Sequence, residues 1–282
     1  MRLLFILSLA GTAWLLSCAD DDSAPLVREG VFLTGAGPAQ IEGELFLPEG
    51  DGPFPSMIIV PGSGNESRVE LETFADILNP NGYALYIYDK RGIGNSTGSY
   101  PPDDLEIQTA FIRERALDVL GIIDLLMNHE LIDPDRIGLY GSSQGAWVNS
   151  KVYEMSEGIS YLVMASGGVA SGGLERYYCG LTDDANVTID EAISQLADYD
   201  GALGYDPLPI VRVMDLPALW IYGNEDRSHP ARYDLQVLED LNKENFTVHL
   251  YENTDHELLD LVSRETPGEL YMALGVWLLE NN

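Results

Sequence analysis

The stretch "LYGSSQGAW", residues 139–147, decides how the rest of the chain is read. It joins a short apolar run, "RIGLY" (136–140), to a segment of helical character at 145–156, and it sets two serines between two glycines. The pattern is G-x-S-x-G with Ser143 at its centre, and it carries meaning only with a strand before it and a helix after it. Both are expected here. A sharp strand-to-helix turn crowds its neighbours, which leaves little room for side chains at Gly141 and Gly145. The turn also lifts Ser143 to a helix N-terminus, whose partial positive charge favours a nearby anion. Ser142 sits off the tip of the turn, and a local hydrogen bond is the role expected for it.

Outward from this turn the chain alternates. "QIEGELFL" (40–47) switches between apolar and polar residues like a half-exposed strand. "SMIIV" (56–60), "YALYIY" (83–88), "YLVMA" (161–165), "ALWIY" (218–222) and "TVHLY" (247–251) read as buried strands of a mainly parallel sheet. Ile112, Ala116, Val119, Ile123 and Leu126 recur at steps of three and four, the spacing of one apolar helix face. "DPDR" (133–136) reads as a turn, and further helices are expected at 69–79, 189–198, 230–242 and 267–280. The fold class is α/β, with helices on both faces of the sheet and chemistry in the loops beyond the carboxyl ends of the strands.

A serine hydroxyl is a poor nucleophile without a positioned base. Two strand ends downstream of Ser143 offer the partners. "ALWIYGNEDRSHP" (218–230) carries Glu225, Asp226 and His229, and "VHLYENTDHELLD" (248–260) carries Asp255 and His256. Ser143, Asp226 and His256 follow one another in the order of an α/β-hydrolase triad. With these residues the chain resembles α/β-hydrolases of the serine esterase type, close to the dienelactone hydrolase and prolyl oligopeptidase-like group, over roughly residues 40–280. The resemblance implies Ser143 as nucleophile, His256 as base and Asp226 as its orienting acid. His229 competes with His256 but lies only three residues past Asp226. His129 reads as solvated, and His249, inside a strand, as packed.

The same resemblance gives "IIVPGSG" (58–64) the place of the family's His-Gly oxyanion loop, with the N–H groups of Ser63 and Gln144 as oxyanion donors. Pro61 stands where the histidine would be, which leaves open what braces the loop. "YDKRGIGNSTG" (88–98) resembles the family's D-x-R-G-x-G-x-S segment, with Asp89 and Arg91 as structural charges. The chemistry implied is cleavage of a carboxylic ester by acyl transfer to Ser143 and then to water; the same triad could instead cleave a short peptide or amide, or pass the acyl group to an alcohol. A serine at this position argues against branches of the fold that use a carboxylate nucleophile. A binding protein that keeps the fold without catalysis is the contrasting reading, disfavoured because all three residues are in place.

Acidic residues outnumber basic ones 46 to 15, for a formal net charge of −31. Such a surface repels nucleic acid and anionic headgroups, so polyanions are poor partner candidates and no nucleic-acid partner is expected. It also suits salty surroundings, where screening weakens self-repulsion. No His pair or Cys-x-x-Cys suggests zinc, and no G-x-G-x-x-G opens a helix for a dinucleotide. "LTDDANVTIDEA" (181–192) lacks the glycine and closing glutamate of a calcium loop. No cofactor or metal is expected.

"MRLLFILSLAGTAWLLSC" (1–18) combines Arg2 with an uncharged run at 3–16, too short for the ~20 residues of a membrane span. It reads as an export signal, and "LLSC" resembles a lipobox with Cys18 as the lipidated residue. Residues 19–29 read as an acidic tether, and 30–282 as the hydrolase domain. The expected location is the cell envelope, with membrane attachment through Cys18. With Cys18 lipidated, Cys179 would be left without a disulfide partner and reads as a free packed thiol. Residues 166–217, longer than one crossover helix requires, read as a small cap. Its Tyr177, Tyr178, Tyr199 and Tyr205 suggest contact with an apolar or aromatic substrate.

Overall fold

A computed structural model describes residues 27–34 and 39–281. Eight strands form one sheet: β1 (Val27–Thr34), β2 (Ile41–Leu47), β3 (Phe54–Val60), β4 (Ala84–Tyr88), β5 (Ile132–Ser142), β6 (Tyr161–Ala165), β7 (Ala218–Gly223) and β8 (Phe246–Tyr251). Their spatial order is β1-β2-β4-β3-β5-β6-β7-β8. β1 pairs antiparallel with β2, and β2 antiparallel with β4; every later pairing is parallel.

Of the runs that read as buried strands, "TVHLY" is the exception: β8 lies at the sheet edge and is half-buried along its whole length. The others are buried because both faces of the sheet are covered. Along β3, Ile58 and Val60 pack to one side while Met57 and Ile59 pack to the other; along β7, Ala218, Trp220 and Tyr222 oppose Leu219 and Ile221. The first face carries α2 (Leu105–Met127), α3 (Gln144–Met155) and α7 (Ala231–Leu241), and the second carries α1 (Thr73–Leu78) and α8 (Gly268–Asn281). Ile112, Ala116, Val119, Ile123 and Leu126 all sit on the buried side of α2, as their spacing requires. Asp104 caps that helix, its carboxylate accepting from the Glu106 N–H at 2.9 Å.

Three local readings change. β1 begins at Val27, three residues inside the stretch read as tether. "DPDR" is not a turn between elements but a bulge within β5: β3 advances from Phe54 to Ser56 while its partner advances from Ile132 to Ile137. Asp133 stabilises the bulge by accepting from the Asp135 N–H at 3.1 Å. The helix expected at 69–79 divides into a 3-10 turn, Arg68–Leu71, and the short α1. Residues 1–26, with the export signal, Cys18 and most of the tether, lie outside the described residues.

The stretch 166–217 folds into α4 (Gly172–Thr182), α5 (Ile189–Gln195) and α6 (Leu208–Val213). α4 and α5 hold a small core of their own around Tyr178, Ala192 and Leu196. The parallel register then aligns the strand ends: Val60 pairs with Gly141, Ser142 with Ala165, and Gly223 with Tyr251. The loops that follow β3, β5, β7 and β8 therefore open on one edge of the sheet, and those loops carry Ser63, Ser143, Asp226 and His256.

Candidate active site

Ser143 stands between β5 and α3 with φ 53° and ψ −121°, a strained backbone for a residue with a side chain. Its N–H is tied to the Ala165 carbonyl at 2.8 Å. The crowding inferred from the glycines is present. A Cβ on Gly145 would lie 2.2 Å from the Val60 carbonyl oxygen, and one on Gly141 would lie 2.6 Å from the Gly145 carbonyl oxygen. Ser142 ends β5, in register with Ala165, one residue short of the tip.

His256 follows β8, and its Nδ1 meets Asp226 Oδ2 at 2.8 Å. Asp226, only 1% exposed, spends its other oxygen on two backbone donors: the N–H groups of Ser228 (2.8 Å) and His229 (2.7 Å) donate to Oδ1. The carboxylate is thus fixed, and it fixes the imidazole. With the proton on Nδ1 facing the carboxylate, the free Nε2 is the basic atom. Burial pulls the His256 pKa down, but the hydrogen bond and the charge of Asp226 outweigh it and leave it raised above 6.5.

Ser143, His256 and Ser63 line one cleft of about 410 Å³, whose apolar wall comes from Leu71, Phe74, Tyr140 and Leu258. The Phe74 and Tyr140 rings lie 5.0 Å apart, tilted by 60°. A second hollow of about 420 Å³, between Tyr100 and Phe111, shares Ser63 and also reaches Gln144. Sequence reading looks to the tyrosines of 166–217 for an aromatic lining, whereas the aromatic residues that line this cleft are Phe74 and Tyr140. Tyr178 and Tyr205 are buried, the Tyr177 and Tyr199 rings pack against each other at 5.2 Å with a tilt of 32°, and none of the four lines the cleft. Nothing local marks Phe74 as a wall residue, since it stands on a short helix far from the triad in sequence.

Residues 166–217 instead hold the loop that carries Asp226. One face of α4, at steps of three and four, reaches Asp226–His229. The Tyr178 hydroxyl donates to the Asp226 carbonyl (2.7 Å), the Cys179 thiol to the Ser228 carbonyl (2.7 Å) and the Thr182 hydroxyl to the Arg227 carbonyl (2.6 Å), while Glu175 meets His229 Nδ1 at 2.7 Å. His229, fully buried, also meets Asp234 through Nε2 at 2.7 Å, and Asp234 in turn accepts from the N–H groups of Val169 and Ala170. The two histidines near Asp226 therefore divide: His256 faces the cleft, and His229 ties α4 to α7. Glu225 and Asp255, the neighbouring acids, pair with Arg232 and Arg264.

Arg91 holds Asp118 in a two-pronged ion pair, Nε to Oδ2 at 2.7 Å and Nη2 to Oδ1 at 2.9 Å, and Asp89 accepts from the backbone N–H groups of Arg68 and Asn95. Both act as structural charges, as expected. Sequence reading missed Lys90 and Arg115. Arg115 had a visible signal, an arginine inside the apolar stripe of α2.

The sequence pattern of the prolyl oligopeptidase family matches residues 75–280. The chain belongs to the prolyl oligopeptidase family. Within the curated proteins it is 24% identical over 264 residues to the esterase EstD of Thermotoga maritima, covering 83% of this chain and 62% of that protein. It is also 27% identical over 127 residues to the thiohydrolase aneE of Aspergillus aculeatus, covering 45% of this chain and 37% of that one. The match thus spans less than two thirds of either relative. Among solved structures, the Pyrococcus furiosus esterase Pf2001 superposes with a TM-score of 0.67 at 17% identity, covering 91% of both chains. The Pyrococcus horikoshii acylaminoacyl peptidase gives 0.65 at 20%, covering 89% of this chain and 41% of the other. The family and these neighbours establish the α/β-hydrolase fold.

Proposed function

We propose that this member of the family is a serine hydrolase that cleaves a carboxylic ester through an acyl-enzyme on Ser143. One observation carries the reading: the buried Asp226 carboxylate, itself fixed by two backbone N–H groups, holds His256 at 2.8 Å on the edge of the cleft that Ser143 lines. His256 Nε2 takes the Ser143 proton as Oγ attacks the carbonyl carbon. The tetrahedral oxyanion is received by the Ser63 and Gln144 N–H groups. His256 then gives the proton to the departing alkoxide. In the second half water loses a proton to His256 and attacks the acyl carbon, and the proton returns to Ser143 as the carboxylic acid leaves.

The apolar wall of Leu71, Phe74 and Tyr140 favours an ester with an apolar or aromatic portion. Hydrolysis of nitrophenyl esters from acetate to decanoate tests the reading, with Ser143→Ala beside the wild type. Release of nitrophenol that vanishes in Ser143→Ala is expected. Release from short amides and peptides but no ester would turn the reading to a peptidase. From residues 1–18 we infer export and lipidation at Cys18. Metabolic labelling with a radioactive fatty acid, lost in Cys18→Ala, tests that part.

A further inference from the structure

The oxyanion loop, residues 61–64, has Pro61 where a bracing histidine would be expected, yet it lies against the nucleophile: a Cβ on Gly62 would stand 3.3 Å from Ser143 Cβ. Two cations lie beneath it. Lys90 Nζ donates to the Gly62 carbonyl at 2.8 Å and also to the Gly64 carbonyl. Arg115 Nη2 donates to the Pro61 carbonyl at 2.6 Å, and its Nη1 donates to Gln144 Oε1, also at 2.6 Å. The Tyr100 hydroxyl donates to that same Gln144 oxygen at 2.9 Å, and Lys90 sits 4.9 Å from the centre of the Tyr100 ring. Both cations are 1% exposed, and among the described residues neither has a carboxylate within 4 Å. Burying such charges is costly: burial and the neighbouring Arg115 pull the Lys90 pKa down to about 8, against the attraction of Glu66.

We propose that Lys90 and Arg115 form a buried cationic brace that aims the Ser63 and Gln144 N–H groups at the oxyanion. The inference rests on the serine hydrolase reading. A trans peptide is planar, with its C=O and N–H on opposite sides. Holding the Gly62 carbonyl toward Lys90 therefore turns the Ser63 N–H of the same peptide unit away from Lys90. Arg115 joins the preceding peptide to the first side chain of α3, so the loop and the helix that supply the two donors move as one piece. The two buried positive charges also favour the negative charge that develops at the oxyanion. Lys90 and Arg115 touch no substrate: they are positioning residues.

The test uses Lys90→Met, Arg115→Met and Gln144→Met, the last of which removes the side-chain acceptor and keeps the backbone donor. For each, kcat and KM are measured on the best nitrophenyl ester, together with inhibition by a boronic acid that forms a tetrahedral adduct on a serine. Removal of a single oxyanion donor lowers kcat about 10²- to 10³-fold. Misaiming the donors is expected to lower kcat roughly ten- to a hundredfold with KM within about threefold, and to weaken the boronate by the same factor as kcat/KM. Lys90→Arg, which keeps the charge and donors, is expected to recover part of the loss. If a methionine variant fails to fold, Lys90→Arg and Arg115→Lys are read in the same way, their kcat falling while KM holds. Wild-type turnover with kcat unchanged in the variants, or a change confined to KM, would overturn the brace alone. A folded wild type that hydrolyses no ester or amide and takes no fluorophosphonate on Ser143 would overturn the brace together with the reading beneath it.

Discussion

Replacing Asp226 by asparagine exchanges one oxygen for an NH2 group, and the surroundings dictate which. Oδ1 accepts from the N–H groups of Ser228 and His229 at 2.8 and 2.7 Å, and Oδ2 meets His256 Nδ1 at 2.8 Å. An asparagine that turned its NH2 toward the two backbone donors would leave both unsatisfied, at about 1–3 kcal/mol each. The amide oxygen therefore stays with the backbone, and the NH2 faces Nδ1. Nδ1 must then accept, its proton moves to Nε2, and the imidazole no longer takes a proton from Ser143. A wrong tautomer of this kind costs about 10⁴-fold in kcat, or about 5.5 kcal/mol of barrier. All three hydrogen bonds survive, so circular dichroism and Tm are expected to stay close to wild type. The assay is steady-state ester hydrolysis in Asp226→Asn, with Glu225→Gln as the neighbouring control. A folded Asp226→Asn that kept kcat within tenfold of wild type would refute the role given to Asp226.

The remaining predictions concern charge, burial and packing. Because the bond and charge of Asp226 hold the His256 pKa up, the acid limb of kcat/KM is expected to fall above pH 6.5. His229→Leu strands Asp234 and Glu175 without their buried partner, an expected loss of about 3–5 kcal/mol, read by urea unfolding. Burial lowers the His229 pKa, but Asp234 and then Glu175 carry it well above 6.5, so its contribution is complete below about pH 6.5 and is lost as pH rises through the folded value. The deficit of His229→Leu should accordingly shrink at alkaline pH. Burial, with Glu175 and Asp226 nearby, pushes the Cys179 thiol up to about 12, and alkylation at pH 8 is expected to be roughly 10³-fold slower in the native than in the unfolded protein. Gly145→Ala drives a methyl into the Val60 carbonyl and is expected to cost about 1–3 kcal/mol and to lower kcat, as Tm and turnover would show.

Ser143, Asp226 and His256, the residues proposed as the triad, stand out in the sequence because each lies in a loop directly after an apolar strand, where a parallel sheet puts its ligand loops. The glycines at 141 and 145 were legible for a local reason, since the neighbours they avoid lie in the same turn or the adjoining strand end. Contacts made across the fold were not. Phe74 meets Tyr140 only because α1 packs beside the end of β5, and α4 grips Asp226–His229 through side chains about 50 residues away. The tyrosines of 166–217 were credited to the substrate because aromatic composition alone does not tell a core from a pocket; the small core of α4 and α5 absorbs Tyr178. "DPDR" looked like a turn because Pro and Asp usually end strands. In β5 a bulge accommodates them, and pairing resumes at Ile137.

The most direct test of the central claim is to treat the folded protein, at low and high salt, with a fluorophosphonate and locate the adduct by peptide mass spectrometry. The account predicts one adduct, on Ser143, kept in Ser142→Ala and lost in Ser143→Ala. No adduct on folded wild type, or an adduct that persists in Ser143→Ala, would contradict it.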